Sequence, residues 1–347
     1  MTINRRSRAG MARADTVIVL VPGGMGSTLN LGTVELWNST PTALAMVLDP
    51  ALFLPWLPLT PGSLVTVYDD FVSFLNSLGY STDLQNLYLF AYDWRQGLPL
   101  CASNLAQFVN TQVAPNLAGR KIVFISHSYG CMVTRWAILL PPPAYPIDQN
   151  SISRVVAAGP HMLGIPNSFR NLIAMPELST AFDLLFAAAQ ILLPAYAGVV
   201  QTALCRTLPA VTAMLESLPT YPILQSGSAA ASPLFTVWGW GGWPPELQSL
   251  IAAVQADLLS IANAPWGQIP ITVLMSETSQ TDTGYILGPD NMLLSSLPPG
   301  PGDGAVLSQS AKAYCSQPGQ EVYLSYSHET LLDDPVGRDF LTVNSII

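Results

Sequence analysis

The sequence has few charged residues, and most of those are acidic. Charged side chains make up 10% of the 347 residues, with 13 lysines and arginines against 22 aspartates and glutamates. A protein that grips the phosphate backbone of a nucleic acid needs a basic face, which a chain with a net charge of −9 does not supply. The composition therefore argues against nucleic acid as a partner.

Motifs for nucleotide cofactors and for metal ions are also missing. The sequence contains no Gly-x-x-x-x-Gly-Lys run and no Gly-x-Gly-x-x-Gly at a strand-to-helix turn, the two patterns that cradle phosphate groups. A zinc site or a redox dithiol would show a Cys-x-x-Cys pair, which the sequence lacks. We therefore expect no cofactor and no metal, and we expect the cysteines to be free thiols, with a disulfide as the alternative. The four cysteines are Cys101, Cys131, Cys205 and Cys315.

No uninterrupted apolar segment is long enough to cross a membrane. Residues 184–200 are apolar enough to raise the question, but Gln190 and Pro194 interrupt them, and a pair of cap helices fits this segment better. The arginine-rich N-terminus passes directly into Thr16–Val21, which is too short to be the apolar region of a signal peptide. We expect a flexible basic arm over residues 1–15 and a cytoplasmic protein.

Hydrophobic residues, in contrast, make up 50% of the chain. This is more than an interior requires and predicts an apolar cavity, an apolar lid or a surface that meets lipid. Residues 37–61 include an uncharged stretch rich in proline and leucine, and we interpret them either as a lid or as a loop packed on the core. Over residues 167–264 the alternation of strands and helices breaks down, which predicts an inserted hydrophobic cap. The cap would divide an α/β core into a first part, residues 16–166, and a second part, residues 265–347.

One stretch combines a buried strand, a sharp turn and a helix. Ile122–Gly130 is an apolar run that ends around Ser128, with the small residues Ser126 and Gly130 two positions before and after it. In the Gly-x-Ser-x-Gly nucleophile elbow of α/β-hydrolases, small residues at these positions allow a turn tight enough to expose the serine hydroxyl above the sheet. The stretch predicts that Ser128 is a nucleophile, and an ordinary strand-to-helix loop is the alternative.

A glycine-rich loop follows the first strand. Thr16–Val21 is a short β-branched run typical of a buried parallel strand, and it leads into Pro22–Ser27. Acyl-transfer enzymes bind the oxyanion of the tetrahedral intermediate through the backbone N–H groups of an early loop and of the residue after the nucleophile. Gly24 and Tyr129 are the candidates for these two donors.

The sequence has only three histidines from which to choose a base for the serine. A tight elbow would point His127 away from Ser128, and His161 comes too early for the chain order of serine, acid and histidine. His328 follows the last predicted strand, where this order places the base. We therefore predict that His328 is the general base.

The acid that orients this histidine should lie between the serine and the histidine, after a late strand. Asp303 stands between two glycines, which allow a loop to bend so that the carboxylate reaches the imidazole. Asp282 and Asp290 remain alternatives, because they lie closer to the predicted strand that begins at Ile271.

Five segments, taken in chain order, resemble the motifs of the lecithin:cholesterol acyltransferase family of α/β-hydrolases, which includes phospholipases and diacylglycerol acyltransferases. The segments are Val21–Ser27, Tyr92–Arg95, Ser126–Gly130, Gly302–Val306 and His328. The resemblance implies an α/β-hydrolase fold, a mostly parallel doubly wound sheet with an inserted, largely helical cap and a lid loop. It also implies a triad of Ser128, Asp303 and His328, and a place near the active site for Asp93, Trp94 and Arg95.

These features predict a serine esterase or lipase that cleaves hydrophobic acyl esters through an acyl-enzyme. Its partners would be the ester substrate and, transiently, a lipid surface, while the sequence gives no indication of oligomeric state. Three alternatives stay open. The enzyme transfers the acyl group to an alcohol, or it acts on a non-lipid polyester, carbamate or macrolactone, or the fold serves as a non-catalytic lipid- or partner-binding module.

Overall fold

Apolar, β-branched segments form the strands of the protein, and the segments between them form its helices. The computed structural model describes residues 16–37, 57–141, 144–168, 219–220, 222–226, 232–233, 245–287, 293–315 and 320–347. The strands are β1 (Thr16–Val21), β2 (Ser27–Leu31), β3 (Val34–Trp37), β4 (Thr60–Leu64), β5 (Leu87–Leu89), β6 (Lys121–His127), β7 (Ile152–Ala158), β8 (Pro222–Ser226), β9 (Ser232–Pro233), β10 (Ile271–Ser276), β11 (Ser279–Thr281), β12 (Tyr285–Leu287), β13 (Leu293–Ser296), β14 (Gly300–Gly302) and β15 (Glu321–Leu324). The helices are α1 (Asp69–Ser77), α2 (Leu98–Phe108), α3 (Tyr129–Leu139), α4 (Pro245–Asn263), α5 (Ser308–Lys312) and α6 (Pro335–Val343).

The central sheet has six strands in the order β15-β10-β7-β6-β1-β5, and every neighbouring pair is parallel. Strands β1, β6 and β10 are buried along almost their whole length. This is the pattern of a parallel sheet with helices on both faces. The predicted doubly wound, mostly parallel sheet is thus confirmed.

Helices cover both faces of this sheet. On one face the apolar core includes Leu105 of α2, Val133 of α3 and Ile261 of α4. On the other face it includes Phe71 of α1 and Leu341 of α6. Helix α4 thus packs in the main core, although it lies within residues 167–264, which we had assigned to the cap.

The order of the strands determines where a site can form. From β1 the chain passes to β5 on one side, and it then crosses to β6 on the other side of β1. Parallel sheets bind ligands beyond the carboxyl ends of their strands, at the point where the strand order reverses. The glycine-rich loop after β1 and the turn after β6 both lie at this point.

Helix α2 begins at Leu98, because Gly97 provides an extended residue before it and Pro99 is tolerated in a first helical turn. Residues 109–113 form a separate π-helical turn. Part of the predicted lid, residues 37–61, belongs to an antiparallel sheet in which β2 pairs with β3 and β4; residues 38–56 lie outside the described residues.

Other expectations fall partly outside the described residues. Most of the predicted cap, the apolar residues 184–200, the N-terminal arm and Cys205 belong to the undescribed part of the chain. Within the described residues, Cys101, Cys131 and Cys315 form no disulfide bond. Within the ranges given above, no helix is both long enough and apolar enough to span a membrane, and no cluster of side chains is suited to hold a metal ion.

Candidate active site

Ser128 occupies a one-residue turn between a strand and a helix. Strand β6 ends at His127 and α3 begins at Tyr129, so Ser128 alone reverses the chain. Its backbone angles, φ 52° and ψ −125°, lie in a region that L-residues rarely adopt, at a cost of about 1–3 kcal/mol. A strained serine between strand and helix is the geometry of a nucleophile elbow.

The residues on either side of Ser128 explain how the turn is held. A Cβ atom at Gly130 would lie 2.2 Å from the carbonyl oxygen of Pro22, so only glycine lets α3 start against the end of β1. Ser126 stands where glycine is usual in an elbow; its hydroxyl is buried, 2.6 Å from the hydroxyl of Thr134. Serine is therefore accommodated at this position because α3 supplies a hydrogen-bond partner.

The structure brings Ser128, His328 and Asp303 together. The Nε2 atom of His328 lies 2.9 Å from the Oγ atom of Ser128, and its Nδ1 atom lies 2.8 Å from Oδ2 of Asp303. Both distances are those of hydrogen bonds. Because an ionised carboxylate only accepts, Nδ1 of the neutral imidazole carries the proton, and Nε2 is left to accept the hydroxyl proton of Ser128.

A long segment between β10 and β14 places Asp303 beside His328. After β10 the chain makes a long excursion and returns through β14, which pairs with β11. A Cβ atom at Gly302 would lie 2.4 Å from the Thr281 hydroxyl, so this glycine is needed for the two strands to approach. Asp303 therefore lies near the end of β10, although it comes 27 residues after Ser276, the last residue of that strand.

The Asp303 carboxylate is held and kept ionised by its surroundings. Its Oδ1 atom accepts hydrogen bonds from the backbone N–H groups of Ala305, at 3.0 Å, and Val306, at 2.7 Å. Burial by itself raises the pKa of Asp303, but the charge and hydrogen bond of His328 and these two N–H groups together bring the pKa below its usual value. Of the alternative acids, Asp282 lies 3.2 Å from the Tyr285 hydroxyl instead, and Asp290 is outside the described residues.

The imidazole of His328 is confined by its neighbours. Gly159, at the end of β7, has a φ of 56°, and a Cβ atom there would lie 2.8 Å from Nδ1 of His328. The buried carboxylate of Asp334 accepts hydrogen bonds from the N–H groups of Ser325, at 2.7 Å, and Tyr326, at 3.1 Å. Asp334 therefore shapes the loop that ends at His328.

The glycine-rich loop lies directly beside the elbow. A Cβ atom at Gly23 would be 2.9 Å from the Cβ of Ser128, and one at Gly24 would be 3.6 Å from the Cβ of Tyr129. The N–H group of Gly23 is already used, since it donates to the Tyr68 hydroxyl at 2.8 Å. The backbones of Gly24 and Tyr129 are thus neighbours at the elbow, and their role as oxyanion donors stays a prediction.

The chain also matches a known protein family. The family model "Lecithin:cholesterol acyltransferase" matches residues 54–190, a range that includes the elbow. The chain resembles the lecithin:cholesterol acyltransferase family. The resemblance inferred from the motifs is thereby confirmed, and at the family level it indicates a lipase-like hydrolase or an acyltransferase.

The fold is also found in a solved structure. The crystal structure of a Tle4–Tli4 complex has a chain that is 10% identical, with a TM-score of 0.66, covering 95% of this chain and 98% of that one. The mature Bacillus licheniformis lipase BlEst2 is 13% identical, with a TM-score of 0.45, covering 96% and 92%. No curated protein sequence matches the chain. The α/β-hydrolase fold is confirmed.

The Tyr-Asp-Trp-Arg segment, one of the motifs shared with this family, supports the glycine-rich loop. Arg95 is fully buried and binds Asp93 through two hydrogen bonds, Nε to Oδ1 at 2.9 Å and Nη2 to Oδ2 at 2.7 Å. Its Nη2 also donates to the carbonyl oxygen of Leu57 at 2.9 Å. The indole N–H of Trp94 donates to the carbonyl oxygen of Ser27 at 3.2 Å. The Trp94 contact fixes the far end of the loop that carries Gly24, and the Arg95 contacts fix the Tyr-Asp-Trp-Arg segment itself.

Sequence reasoning missed three residues that shape the site. Gly159 directly follows a buried strand, and a glycine in that place indicates that another group approaches the backbone closely. Asp334 comes just before a helix with proline at its first position, which marks it as a cap but not as a support for His328. Nothing in the sequence connects Tyr68 with the elbow.

Replacement of Gly159 by alanine should displace the His328 imidazole. We expect the Gly159→Ala variant to lose roughly 100-fold in kcat/KM on a short p-nitrophenyl ester, since a shift of about 1 Å in a reacting group has an effect of that size. Gly267→Ala is the matched control: Gly267 has a similar φ of 62°, but an added Cβ meets none of the described residues within 4 Å. Equal losses in the two variants would show that backbone strain, not His328, is responsible.

The pH dependence should report the ionisation of His328. Burial lowers the pKa of His328, but the charge and hydrogen bond of Asp303 outweigh it, so the net pKa lies above the usual value of about 6.5. Because the base must be neutral, kcat/KM should rise with pH through a midpoint above about 6.5. In Asp303→Asn the charge of the carboxylate is lost while burial remains, so the midpoint should move down. A wild-type midpoint at or below 6.5, or no movement in the variant, would contradict this assignment.

Proposed function

We propose that the protein is a serine esterase or lipase that cleaves hydrophobic acyl esters through a triad of Ser128, His328 and Asp303. The observation that carries this proposal is the continuous hydrogen-bonded series from the Ser128 hydroxyl through the His328 imidazole to the Asp303 carboxylate, with distances of 2.9 and 2.8 Å. The strained backbone at Ser128 supports it further, since it presents the hydroxyl to this histidine.

The first half of the reaction forms an acyl-enzyme. Nε2 of His328 takes the proton of Ser128, whose oxygen attacks the ester carbonyl carbon. The backbone N–H groups of Gly24 and Tyr129 stabilise the resulting oxyanion, and loss of one such donor typically costs 10²–10³-fold in rate. As the ester C–O bond breaks, His328 gives its proton to the departing alcohol, and the acyl group stays on Ser128.

The second half releases the acyl group. His328, neutral again, takes a proton from water, and the hydroxide oxygen bonds to the acyl carbon; collapse of the second tetrahedral intermediate returns the proton to Ser128 and frees the acid. Asp303 stays ionised throughout. It keeps the imidazole in the tautomer that accepts at Nε2, and it stabilises the imidazolium formed in each half.

The family match and the composition support a lipid ester as the substrate class. The lecithin:cholesterol acyltransferase match over residues 54–190 favours a lipid ester, and a chain that is 50% hydrophobic has ample apolar surface to bind an acyl chain or to contact a lipid aggregate transiently. The same match favours an acyltransferase as the second candidate. Product analysis with a long-chain alcohol present separates the two: a hydrolase releases free fatty acid, and a transferase forms a new ester.

Replacement of Ser128 by alanine should remove the activity. We expect the hydrolysis of p-nitrophenyl esters to fall about 10⁴-fold or more in Ser128→Ala, because the attacking atom is gone. Ser327→Ala removes an exposed serine beside the base and should retain activity. A panel from acetate to palmitate, with and without detergent micelles, reports the substrate class. Full activity in Ser128→Ala would overturn the serine mechanism, and flat activity across the panel, unaffected by micelles, would count against a lipase.

A further inference from the structure

A second hydrogen-bonded pair, Tyr68 and His127, lies beneath the triad and has no part in the proposed chemistry. The Gly23 N–H donates to the Tyr68 hydroxyl at 2.8 Å. The same hydroxyl lies 2.9 Å from Nδ1 of His127, and Nε2 of His127 lies 2.8 Å from the backbone carbonyl oxygen of His328. The series thus runs from the glycine-rich loop to the backbone of the base.

The His328 carbonyl oxygen at one end of the series determines which atom donates in each hydrogen bond. The carbonyl oxygen of His328 can only accept, so Nε2 of His127 carries a proton and donates it. A neutral imidazole has one N–H, so Nδ1 of His127 accepts, and the Tyr68 hydroxyl must be its donor. The oxygen of Tyr68 in turn accepts from Gly23. Every member therefore has one role, and the series has no alternative orientation.

Burial keeps this pair in a single ionisation state. Tyr68 and His127 are only 4% and 6% exposed. Burial, together with the positive charge that His328 can carry, lowers the pKa of His127 to about 3, and burial raises the pKa of Tyr68. His127 therefore stays neutral, with the same tautomer, over the pH range in which an esterase with a histidine base works.

The series connects the glycine-rich loop with His328, and catalysis requires a fixed distance between these two parts of the site. Gly23 precedes Gly24, the candidate oxyanion donor, and packs on the Cβ of Ser128. The other end is the backbone of the base itself, whose ring lies 5.0 Å from the His127 ring, centroid to centroid. We propose that Tyr68 and His127 are positioning residues that hold the oxyanion loop and His328 at a set separation around Ser128. This inference rests on the serine mechanism proposed above.

Three variants cut the series at different points. Tyr68→Phe keeps the ring and removes the hydroxyl. His127→Gln keeps an amide N–H near the place of Nε2 and so retains the bond to His328, but it has no acceptor near the place of Nδ1. His127→Asn does the reverse: its amide oxygen can accept from Tyr68, but its side chain is too short to reach the His328 carbonyl.

The control removes a buried tyrosine hydroxyl elsewhere. Tyr80 is fully buried, and its hydroxyl lies 2.8 Å from that of Thr16, at the opposite end of β1 from the site. Tyr80→Phe therefore loses a partly buried tyrosine hydrogen bond without touching the series. All rates are expressed per active site, counted by titration with a fluorophosphonate, so that a misfolded fraction does not lower the apparent kcat.

We expect kcat on a short p-nitrophenyl ester to fall about 10- to 100-fold in each of the three variants with KM almost unchanged, because donor and base are misplaced in the transition state more than in the bound substrate. Tyr80→Phe should keep its kcat. In the Tyr68→Phe background, His127→Gln should add little, since the bond it removes is already gone, whereas His127→Asn should lower kcat further by cutting the link to His328.

Two results would overturn the proposal in distinguishable ways. If the wild type neither reacts with the fluorophosphonate nor hydrolyses the ester, the serine mechanism itself fails, and the positioning role fails with it. If the wild type is active and the variants lower only the melting temperature, as Tyr80→Phe does, the pair merely stabilises the fold. If Tyr68→Phe does not fold, His127→Gln and His127→Asn decide the question, and a full kcat in both contradicts the proposal.

Discussion

The close contact between the start of α3 and the end of β1 is the constraint on which the site depends. With a Cβ atom at Gly130 only 2.2 Å from the Pro22 carbonyl oxygen, no other residue lets the helix begin there. This contact forces the chain to turn within one residue, at Ser128, and places the glycine-rich loop next to the serine. The cost of the strained backbone, about 1–3 kcal/mol, is offset by the packing of β1, β6 and α3 in the core.

Three buried charged residues hold the surroundings of the site. Asp303, Asp334 and Arg95 are almost fully buried, and each is bound by several hydrogen bonds. A buried ionised group is stable only when it is paired in this way, and the same pairing makes it rigid. In the proposed mechanism Asp303 orients the base. Asp334 shapes the loop before His328, and Arg95 fixes the Tyr-Asp-Trp-Arg segment through Asp93 and the Leu57 carbonyl oxygen.

The parts of this structure that could be predicted from the sequence are those with a local signal. Buried β-branched runs such as Thr16–Val21 correctly indicated the parallel strands, and the small residues around Ser128 indicated the sharp turn. The order of serine, acid and histidine along the chain indicated His328 as the base, and the flanking glycines favoured Asp303 over Asp282 as the acid. That Asp282 lies beside Tyr285 and not beside His328 is visible only in the folded structure. Tyr68 has no local signal at all, because its partners, Gly23 and His127, are brought to it by the sheet order.

We propose that Ser128 is the nucleophile of this enzyme. The most direct test of this role is to treat the protein with a fluorophosphonate and to locate the adduct by mass spectrometry of the digested chain. The mechanism predicts one adduct per chain, on Ser128, and slower formation in Asp303→Asn, where the imidazole loses its orienting partner. An unmodified wild-type chain, an adduct on another residue, or equal labelling of Ser128→Ala would contradict it.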